Sequence, residues 1–287
     1  MPELPEVEVL VRHLQPVLRG REVRGVSVWR PKVVRPDTAH SLAEALIGRR
    51  FKQVRRRAKY LLFELGPPTG GQPRASLTVV GHLGMTGRMY VQPRSRPLPK
   101  HAAVTLDLGP DVFVFEDTRY FGRFNLNTAV LEPLGPEPLE AGFSLPALAT
   151  ALSRSRQSIK VKLLDQTVVA GVGNIYASEA LFRARINPRH SARKLSKPQL
   201  IRLRKSLQEV LNEAIQLGST LPLELEGRGR KNGLFYYGQA EGASEFYEER
   251  LQVYDRRDEP CRICRTPIRQ FVQAARSTYW CPKCQGG

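Results

Sequence analysis

The feature that most limits how this chain can fold is a pair of C-x-x-C motifs near its C-terminus. The segment CRICRTPIRQFVQAARSTYWCPKC holds all four cysteines, which are Cys261, Cys264, Cys281 and Cys284. Each motif suits two corners of a tetrahedron, and thiolate ligands favour zinc. Two disulfides or a redox pair are the alternatives, and both suit a reducing compartment poorly. The spacing predicts a zinc ribbon whose single structural Zn²⁺ has no open position for catalysis.

The charge of the chain favours a polyanionic partner. Forty-five Lys and Arg residues oppose 27 Asp and Glu residues, a net charge of +18 at pH 7. Such a field attracts nucleic acid and speeds encounter with it. A membrane surface is the weaker alternative because no terminal segment reads as an amphipathic basic helix. A well-solvated basic surface without a polyanionic partner is the other alternative.

The start of the chain and its hydropathy bear on the compartment. Glu3, Glu6 and Glu8 stand where a secretory signal has basic residues, and no apolar run is long enough to cross a bilayer. We therefore expect a cytoplasmic protein that is associated with the nucleoid when bound to DNA.

The pattern of apolar residues changes along the chain. Residues 5–19 have helical spacing, and β-type alternation with Gly and Pro clusters follows up to about residue 125. The segment LEPLGPEPLE has three prolines and little periodicity, which is typical of a linker. Helical patterns follow near 145–153, 158–165, 174–184 and 196–217. In the last of these we expect Ser196 to cap the helix and Gly218 to end it.

These patterns predict an α+β multidomain fold. An N-terminal β-sandwich or barrel headed by a helix comes first, then a helical domain and the zinc ribbon. The expected boundaries are 1–130 for the sandwich domain, 131–143 for the linker, 144–245 for the helical domain and 246–287 for the ribbon.

A glycine turn joins two of the predicted helices. In DQTVVAGVGNIYASEALF, Gly171 and Gly173 let the backbone approach a ligand closely, and the helix that begins near Asn174 presents free N–H groups. A DNA phosphate would fit these groups. The alternative is that the glycines serve only close packing of helices.

The first residues, MPELPEVEV, combine a proline amine with carboxylates. We expect removal of Met1, which would leave Pro2 with a free secondary amine whose pKa is about 7.7–8.0, against about 10.4 for lysine. Such an amine can attack a sugar carbon and form a cationic iminium, which is an electron sink. Glu3 and Glu6 would share a helix face and could act as acid and base. Acidic residues also merely stabilise a helix start, although this alternative does not explain Pro2.

Six blocks of sequence together resemble the formamidopyrimidine-DNA glycosylase family. They are PELPEVE, RRRAKYLLF, GHLGMTG, DTRYFGRF, AGVGNIYASEALF and the ribbon ending in CPKCQ, and they occur in the family's order across essentially the whole chain. The resemblance implies a bifunctional repair enzyme for double-stranded DNA. It would excise oxidised purines such as 8-oxoguanine and formamidopyrimidines, then cleave the abasic strand by β,δ-elimination. It also implies a helix-two-turn-helix in the helical domain.

The resemblance also implies roles for individual residues. Pro2 would be the Schiff-base nucleophile, Glu3 the general acid and Glu6 an auxiliary carboxylate, and Lys59 would contact phosphate near the lesion. Further DNA contacts are implied for His82, His101, Asn174, Lys160 and Arg276.

A third group is implied to fill the void left by the flipped nucleotide. Met85, Arg119 and Phe121 match this trio. An enzyme that acts at C1′ must extrude the nucleotide. Met and Phe can replace the lost stacking, and Arg can hydrogen-bond the orphaned cytosine. The alternative is that Met85 and Phe121, which alternate within apparent strands, belong to the core.

Two positions depart from the family pattern. The segment after residue 221, expected to cap the flipped base over 222–245, is longer than usual. Tyr120 stands where a second basic residue is common.

Two other functions compete with excision of oxidised purines. One is endonuclease VIII-like excision of oxidised pyrimidines, against which Leu4, Pro5, HLGM, Arg119 and Phe121 argue. The other is a non-catalytic zinc-ribbon DNA-binding protein, which would not need Pro2, Glu3 and Lys59. A monomer is expected, since base flipping needs only one site.

Overall fold

The computed structural model describes residues 2–68, 75–220 and 251–286, with the side chains of 219 and 220 excepted. The expected base-capping loop, 222–245, lies outside the described residues, as does Met1. Contacts divide the described chain into two compact units. One contains Pro2 and residues 6–132, and the other contains residues 3–5, 133–220 and 251–286. Among the helices described, none is both long and apolar enough to cross a membrane.

The chain begins with helix α1, Leu4–Leu18. Val7, Leu10, Leu14 and Leu18 recur at helical spacing and are buried in the core of the first unit. Gly20 follows with φ of +79°, a left-handed conformation that glycine adopts without steric cost. The helix predicted over 5–19 is therefore confirmed.

Eight strands of the first unit form two antiparallel sheets within the described residues. Their bounds are β1 Gly25–Val28, β2 Phe51–Arg57, β3 Tyr60–Leu65, β4 Leu77–His82, β5 Gly87–Pro93, β6 Ala102–Asp107, β7 Asp111–Asp117 and β8 Arg123–Asn125. The strand orders are β1-β6-β7-β5 and β2-β3-β4-β8. Phe63 packs 5.6 Å from both Phe113 and Phe124, measured between ring centroids, so residues of both sheets share one core. The expected β-sandwich headed by a helix is confirmed.

Helix α2, Ala39–Leu46, was not expected from the sequence. Thr38 accepts a hydrogen bond from the Ser41 N–H, and Ser41 accepts one from the Thr38 N–H, which is a reciprocal capping box. Leu42 and Leu46 are the buried residues of the helix. The capping residues and the two leucines are visible in the sequence, but the helix spans only eight residues, which is too short for a clear helical pattern.

The second unit contains the predicted helices. Their bounds are α3 Leu145–Ser153, α4 Ile159–Leu164, α5 Asn174–Arg183 and α6 Lys197–Thr220. The Gln199 N–H donates to Ser196 Oγ and the Ser196 N–H donates to Gln199 Oε1, which confirms the cap on α6. The expectation that Gly218 ends α6 is wrong. Glycine costs only about 1 kcal/mol against alanine inside a helix, and the buried face of α6 outweighs this.

The C-terminal ribbon is built on a hairpin of β9, Arg269–Gln273, and β10, Arg276–Trp280. Val253, Ile268 and Tyr279 form a small core with the cysteines and with Phe182 of α5. Gln285 donates to the Ile186 carbonyl oxygen (2.9 Å) and accepts from the Cys281 N–H (2.9 Å). The bond to Ile186 attaches the ribbon to the helical part of its own unit, and the bond from Cys281 fixes the Gln285 side chain within the ribbon.

Candidate active site

The carboxylate of Glu3 lies at the N-terminus of α5. Its Oε2 accepts hydrogen bonds from the Gly173 N–H (2.7 Å) and the Tyr176 N–H (3.4 Å), and Oε1 accepts from the Ile175 N–H (2.9 Å). Glu3 is 2% exposed. The first N–H groups of a helix have no partner within it and suit an anionic ligand. The arrangement fixes both oxygens of a buried carboxylate.

The glycine turn before α5 is shaped for this approach. A Cβ on Gly173 would lie 2.3 Å from Glu3 Cδ, and one on Gly171 would lie 2.7 Å from Leu4 Cδ1. Gly171 also has φ of +85°, and its carbonyl oxygen accepts from the Leu4 N–H (3.0 Å). The expectation that these N–H groups bind a DNA phosphate is wrong, because the Glu3 carboxylate occupies them.

Two further predicted residues, Lys160 and Asn174, meet at Ser277 on β10, next to Arg276. Lys160 Nζ and Asn174 Nδ2 both donate to the Ser277 carbonyl oxygen, at 2.9 and 3.0 Å, and Lys160 also donates to Thr278 Oγ1 (2.7 Å). Burial, with a smaller contribution from nearby Arg276, lowers the Lys160 pKa to about 7, while the charge of Glu3 opposes this shift. Lys160 is 1% exposed and supports the strand that carries Arg276. A direct contact of Lys160 with DNA stays a prediction.

Arg276 is exposed at the tip of the ribbon hairpin. The two residues that join β9 to β10, Ala274 and Ala275, have φ of +48° and +57°. A two-residue hairpin turn of this kind favours Gly or Asn, because a Cβ is strained at positive φ. The backbone is therefore strained at the turn that positions Arg276.

Pro2, Glu6 and Lys59 belong to the first unit, and all three are buried. Lys59 lies in the turn of the β2–β3 hairpin, where Arg57 pairs with Tyr60. Its neighbour in the turn, Ala58, has φ of +53°. As at Ala275 beside Arg276, a strained alanine precedes a predicted functional cation.

His82 stands at the end of β4, beside Lys59. Its ring lies 4.9 Å from the Tyr60 ring, measured between centroids, and its Nδ1 accepts from the Gly84 N–H (3.0 Å). Burial lowers the His82 pKa to about 4, with smaller contributions from the charges of Lys59 and Arg123. The imidazole is therefore neutral at pH 7 with its proton on Nε2, which makes it a hydrogen-bond donor.

We expect the imidazole of His82 to stay neutral down to about pH 5 in the free protein. Because its folded pKa lies below the unfolded value, the unfolded chain binds more protons between pH 6.5 and 4. Stability is therefore lost as the pH falls through that window, by on the order of 3 kcal/mol for this group. Nitrogen chemical shifts of labelled histidine report the titration. A midpoint near 6.5, or unchanged acid sensitivity in His82→Gln, would contradict this account.

Two loops of the first unit are packed backbone against backbone. A Cβ on Gly84 would lie 2.6 Å from the Gly122 nitrogen, and one on Gly122 would lie 2.6 Å from Phe115 Cζ. The buried carboxylate of Asp117 accepts from the N–H groups of Arg119 (3.1 Å) and Gly122 (2.8 Å) and from the Thr86 hydroxyl. The sequence reasoning did not identify Asp117 as an organiser of these loops. Its available signal was an aspartate at the start of a Gly-containing turn.

The predicted void-filling trio lies on these two loops. Arg119 and Phe121 are exposed, with 48% of Phe121 accessible, and Met85 is half-buried. The alternative that Met85 and Phe121 are core residues is wrong, since Met89 and Phe115 hold the core positions beside them. His101 is half-buried, and its Nδ1 lies 3.3 Å from the Tyr120 hydroxyl.

The four cysteines fit one tetrahedral metal ion. Their sulfur atoms all lie within 4.8 Å of one another, with 3.4 Å between Cys264 and Cys281 and 3.9 Å between Cys261 and Cys284. Zinc–sulfur bonds of about 2.3 Å in a tetrahedron require sulfur separations of roughly 3.8 Å. The alternative of two disulfides is wrong, because all four thiols are free. These residues would hold a structural Zn²⁺ and stabilise the ribbon.

Comparisons with known proteins agree with this arrangement. Three family models match: the formamidopyrimidine-DNA glycosylase N-terminal domain over residues 1–124, the H2TH domain of the same enzymes over 134–222, and a zinc finger found in FPG and IleRS over 258–286. A formamidopyrimidine-DNA glycosylase of Herpetosiphon aurantiacus is 42% identical over 99% of this chain and 100% of its own length.

Solved structures give the same result. A Lactococcus lactis FPG bound to DNA containing FAPY-dG superposes with a TM-score of 0.84 at 29% identity, covering 99% of this chain and 100% of the other. MutM in complex with DNA containing carbocyclic 8-oxo-G superposes with a TM-score of 0.85 at 31% identity, and each chain is fully covered. The chain therefore belongs to the formamidopyrimidine-DNA glycosylase family.

Proposed function

We propose that this chain excises oxidised purines, 8-oxoguanine and formamidopyrimidines, from double-stranded DNA and then cleaves the abasic strand by β,δ-elimination. The observation that carries the proposal is the position of the Glu3 carboxylate. Glu3 directly follows Pro2, and three backbone N–H groups fix its carboxylate. Similarity to solved relatives that bind FAPY-dG or 8-oxo-G DNA supports the substrate class. Because the substrate is chromosomal DNA, we place the protein in the cytoplasm, on the nucleoid when bound.

Pro2 supplies the covalent chemistry once Met1 has been removed. The lone pair of its nitrogen forms a bond to C1′ of the damaged nucleotide as the glycosidic bond breaks. The electrons of that bond leave with the base, which takes up a proton. The Pro2 nitrogen then loses its proton, O4′ takes up a proton as the C1′–O4′ bond breaks, and the ring-opened product is a cationic iminium, which acidifies the C2′ proton. Loss of that proton expels the 3′ phosphate, a second elimination expels the 5′ phosphate, and hydrolysis frees Pro2.

Glu3 handles the protons of this sequence. A general acid must lie within hydrogen-bond reach of the group that it protonates, and Glu3 is bonded to Pro2 through the backbone. Its buried, doubly anchored carboxylate is preorganised, so little reorganisation is needed at the moment of reaction. Glu6 acts as the auxiliary carboxylate, and Lys59 holds a phosphate near the lesion.

The remaining predicted contacts position the DNA. His82 donates from Nε2, Arg276 binds phosphate from the tip of the ribbon, and Asn174 and Lys160 hold the strand beneath Arg276. His101 makes a further contact with the DNA. The void left by the flipped nucleotide is filled by Met85, Arg119 and Phe121.

A panel of lesions tests the proposed function. Single-turnover excision is measured on matched duplexes that contain 8-oxoguanine opposite cytosine, a formamidopyrimidine or an oxidised pyrimidine such as thymine glycol. We expect both purine lesions to be excised faster than the pyrimidine. The reverse order would favour endonuclease VIII-like excision, and absence of excision from every duplex would favour a DNA-binding protein without catalysis.

Removal of the metal is expected to weaken DNA binding. Without Zn²⁺ the thiolates lose the ion that holds the ribbon together, and Arg276 loses its fixed position, so affinity for a lesion duplex should fall by about tenfold or more. Fluorescence anisotropy measures this in chelated protein and in Cys281→Ser. Added Zn²⁺ should restore the chelated protein but not the variant. Unchanged affinity in metal-free protein would show that the ribbon does not depend on the ion.

A further inference from the structure

Two cations that follow β1 lie against the aromatic rings of the loop over 118–122. The guanidinium carbon of Arg30 lies 5.1 Å from the centre of the Tyr120 ring, and Lys32 Nζ lies 5.8 Å from the centre of the Phe121 ring. Arg119 also contacts Phe121, with its guanidinium carbon 4.9 Å from the ring centre. Cations and aromatic rings thus alternate on one surface of the first unit.

The backbone that carries the two cations is fixed. The N–H groups of Trp29 and Arg30 both donate to the Ala103 carbonyl oxygen on β6, at 2.8 and 3.2 Å. The Val33 N–H closes a turn onto the Arg30 carbonyl oxygen (3.1 Å), and Val33 is buried. Arg30 and Lys32 therefore project from an ordered turn, although both side chains are exposed.

These cations also differ from several exposed arginines of the same unit. Arg12, Arg50 and Arg55 are exposed, and each pairs with a carboxylate. Within the part of the chain that the structure describes, no carboxylate lies within ion-pair distance of Arg30, Lys32 or Arg119. Arg30 Nη1 donates to the Trp29 carbonyl oxygen (3.4 Å). A guanidinium has five N–H donors, so one stacked on a ring still has donors for a phosphate, and the weak hydration of Arg suits it to this role.

We infer that Arg30 and Lys32 bind backbone phosphates of the DNA duplex beside the flipped nucleotide. This inference rests on the proposed function. Tyr120 carries no charge of its own, but Arg30 stacks on its ring, so the turn after β1 supplies a cation at this position of the loop over 118–122. Lys32, from the same turn, supplies a second cation beside Phe121. The ligand is the sugar–phosphate backbone of double-stranded DNA, read through charge rather than through base identity.

The salt dependence of binding tests the inference. The probe is a duplex with a tetrahydrofuran abasic analogue, which cannot form a Schiff base. Each phosphate contact contributes about 0.9 to the slope of log K against log salt concentration. The double variant Arg30→Gln with Lys32→Gln should therefore reduce the magnitude of the slope by about 1.8, and each single variant by about half of that.

Lys52→Gln is the matched control. Lys52 is exposed on β2 and hydrogen-bonds Ser76, before the start of β4, whereas the loop over 118–122 follows the end of β7. Its substitution removes one positive charge from the same unit, and the slope should not change. Tyr120→Phe should also leave the slope unchanged, while Tyr120→Leu should reproduce the loss seen in Arg30→Gln. Thermal melting verifies that each variant is folded.

An unchanged slope in the double variant would overturn the inference. An equal reduction of the slope in Lys52→Gln would also overturn it, because the slope would then report only the net positive charge of the protein. Neither result touches the proposed function, because excision by the wild-type protein is measured separately. If the wild type fails to excise any lesion, the proposed function fails while the slopes still report whether Arg30 and Lys32 contact DNA.

Discussion

Pro2→Gly is expected to lower strand cleavage at an 8-oxoguanine site by about a thousandfold, which corresponds to about 4 kcal/mol of barrier. Glycine still offers a terminal amine, but a primary one. Its adduct with C1′ is an imine that must be protonated, whereas the proline adduct is permanently cationic. The smaller residue also leaves the buried position of Pro2 unfilled. Single-turnover cleavage under enzyme excess measures the effect.

A second variant removes the amine while leaving every side chain in place. A non-cleavable N-terminal extension turns the Pro2 nitrogen into an amide, which has no nucleophilic lone pair. We expect this protein to bind the abasic analogue but not to cleave any substrate. Full cleavage by either the extended protein or Pro2→Gly would show that Pro2 is not the nucleophile.

Glu3→Gln is expected to lower base excision by about 10²–10⁴-fold, the usual contribution of a general acid or base. The amide cannot deliver the proton. It also places an NH₂ donor against the N–H groups of Gly173, Ile175 and Tyr176, which now point at the carboxylate oxygens. Strand cleavage at a preformed abasic site should fall less, because that substrate has already lost its base.

Glu8→Gln is the matched control for Glu3→Gln. Glu8 lies in helix α1, which begins one residue after Glu3, and its carboxylate pairs with Arg12 and Arg56. It should excise 8-oxoguanine at the wild-type rate. Wild-type excision by Glu3→Gln would assign the proton transfer to another group, and equal losses in both variants would indicate a general effect on α1.

The elements that the sequence predicted well are those with strong local periodicity. Helices α3 and α6 repeat apolar residues on one face, and the strands alternate between Gly and Pro clusters, so local pattern suffices. Helix α2 was missed because it is only eight residues long. Gly218 was misplaced as a helix end because a glycine inside a buried helix looks the same in sequence as a glycine cap.

The parts of the site that the sequence could not predict depend on residues far apart in the chain. The glycine turn signalled an anion at the start of α5, but not that Glu3, 170 residues earlier than Gly173, supplies it. Asp117 organises the loops that carry Met85, Arg119 and Phe121, and its local signal, an aspartate at the start of a Gly-containing turn, does not show that it also binds Thr86, 31 residues earlier. The stacking of Arg30 on Tyr120 likewise joins two loops whose proximity depends on the pairing of β1, β6 and β7.

The central claim, that Pro2 forms a Schiff base with the damaged nucleotide, is tested most directly by borohydride reduction of the wild-type protein on a duplex with 8-oxoguanine opposite cytosine. Mass spectrometry of the digested adduct then identifies the modified residue. We predict a stable protein–DNA adduct on an N-terminal peptide that begins at Pro2. An adduct on Lys59 or another lysine, or cleavage of the duplex without any trapped adduct, would contradict the account.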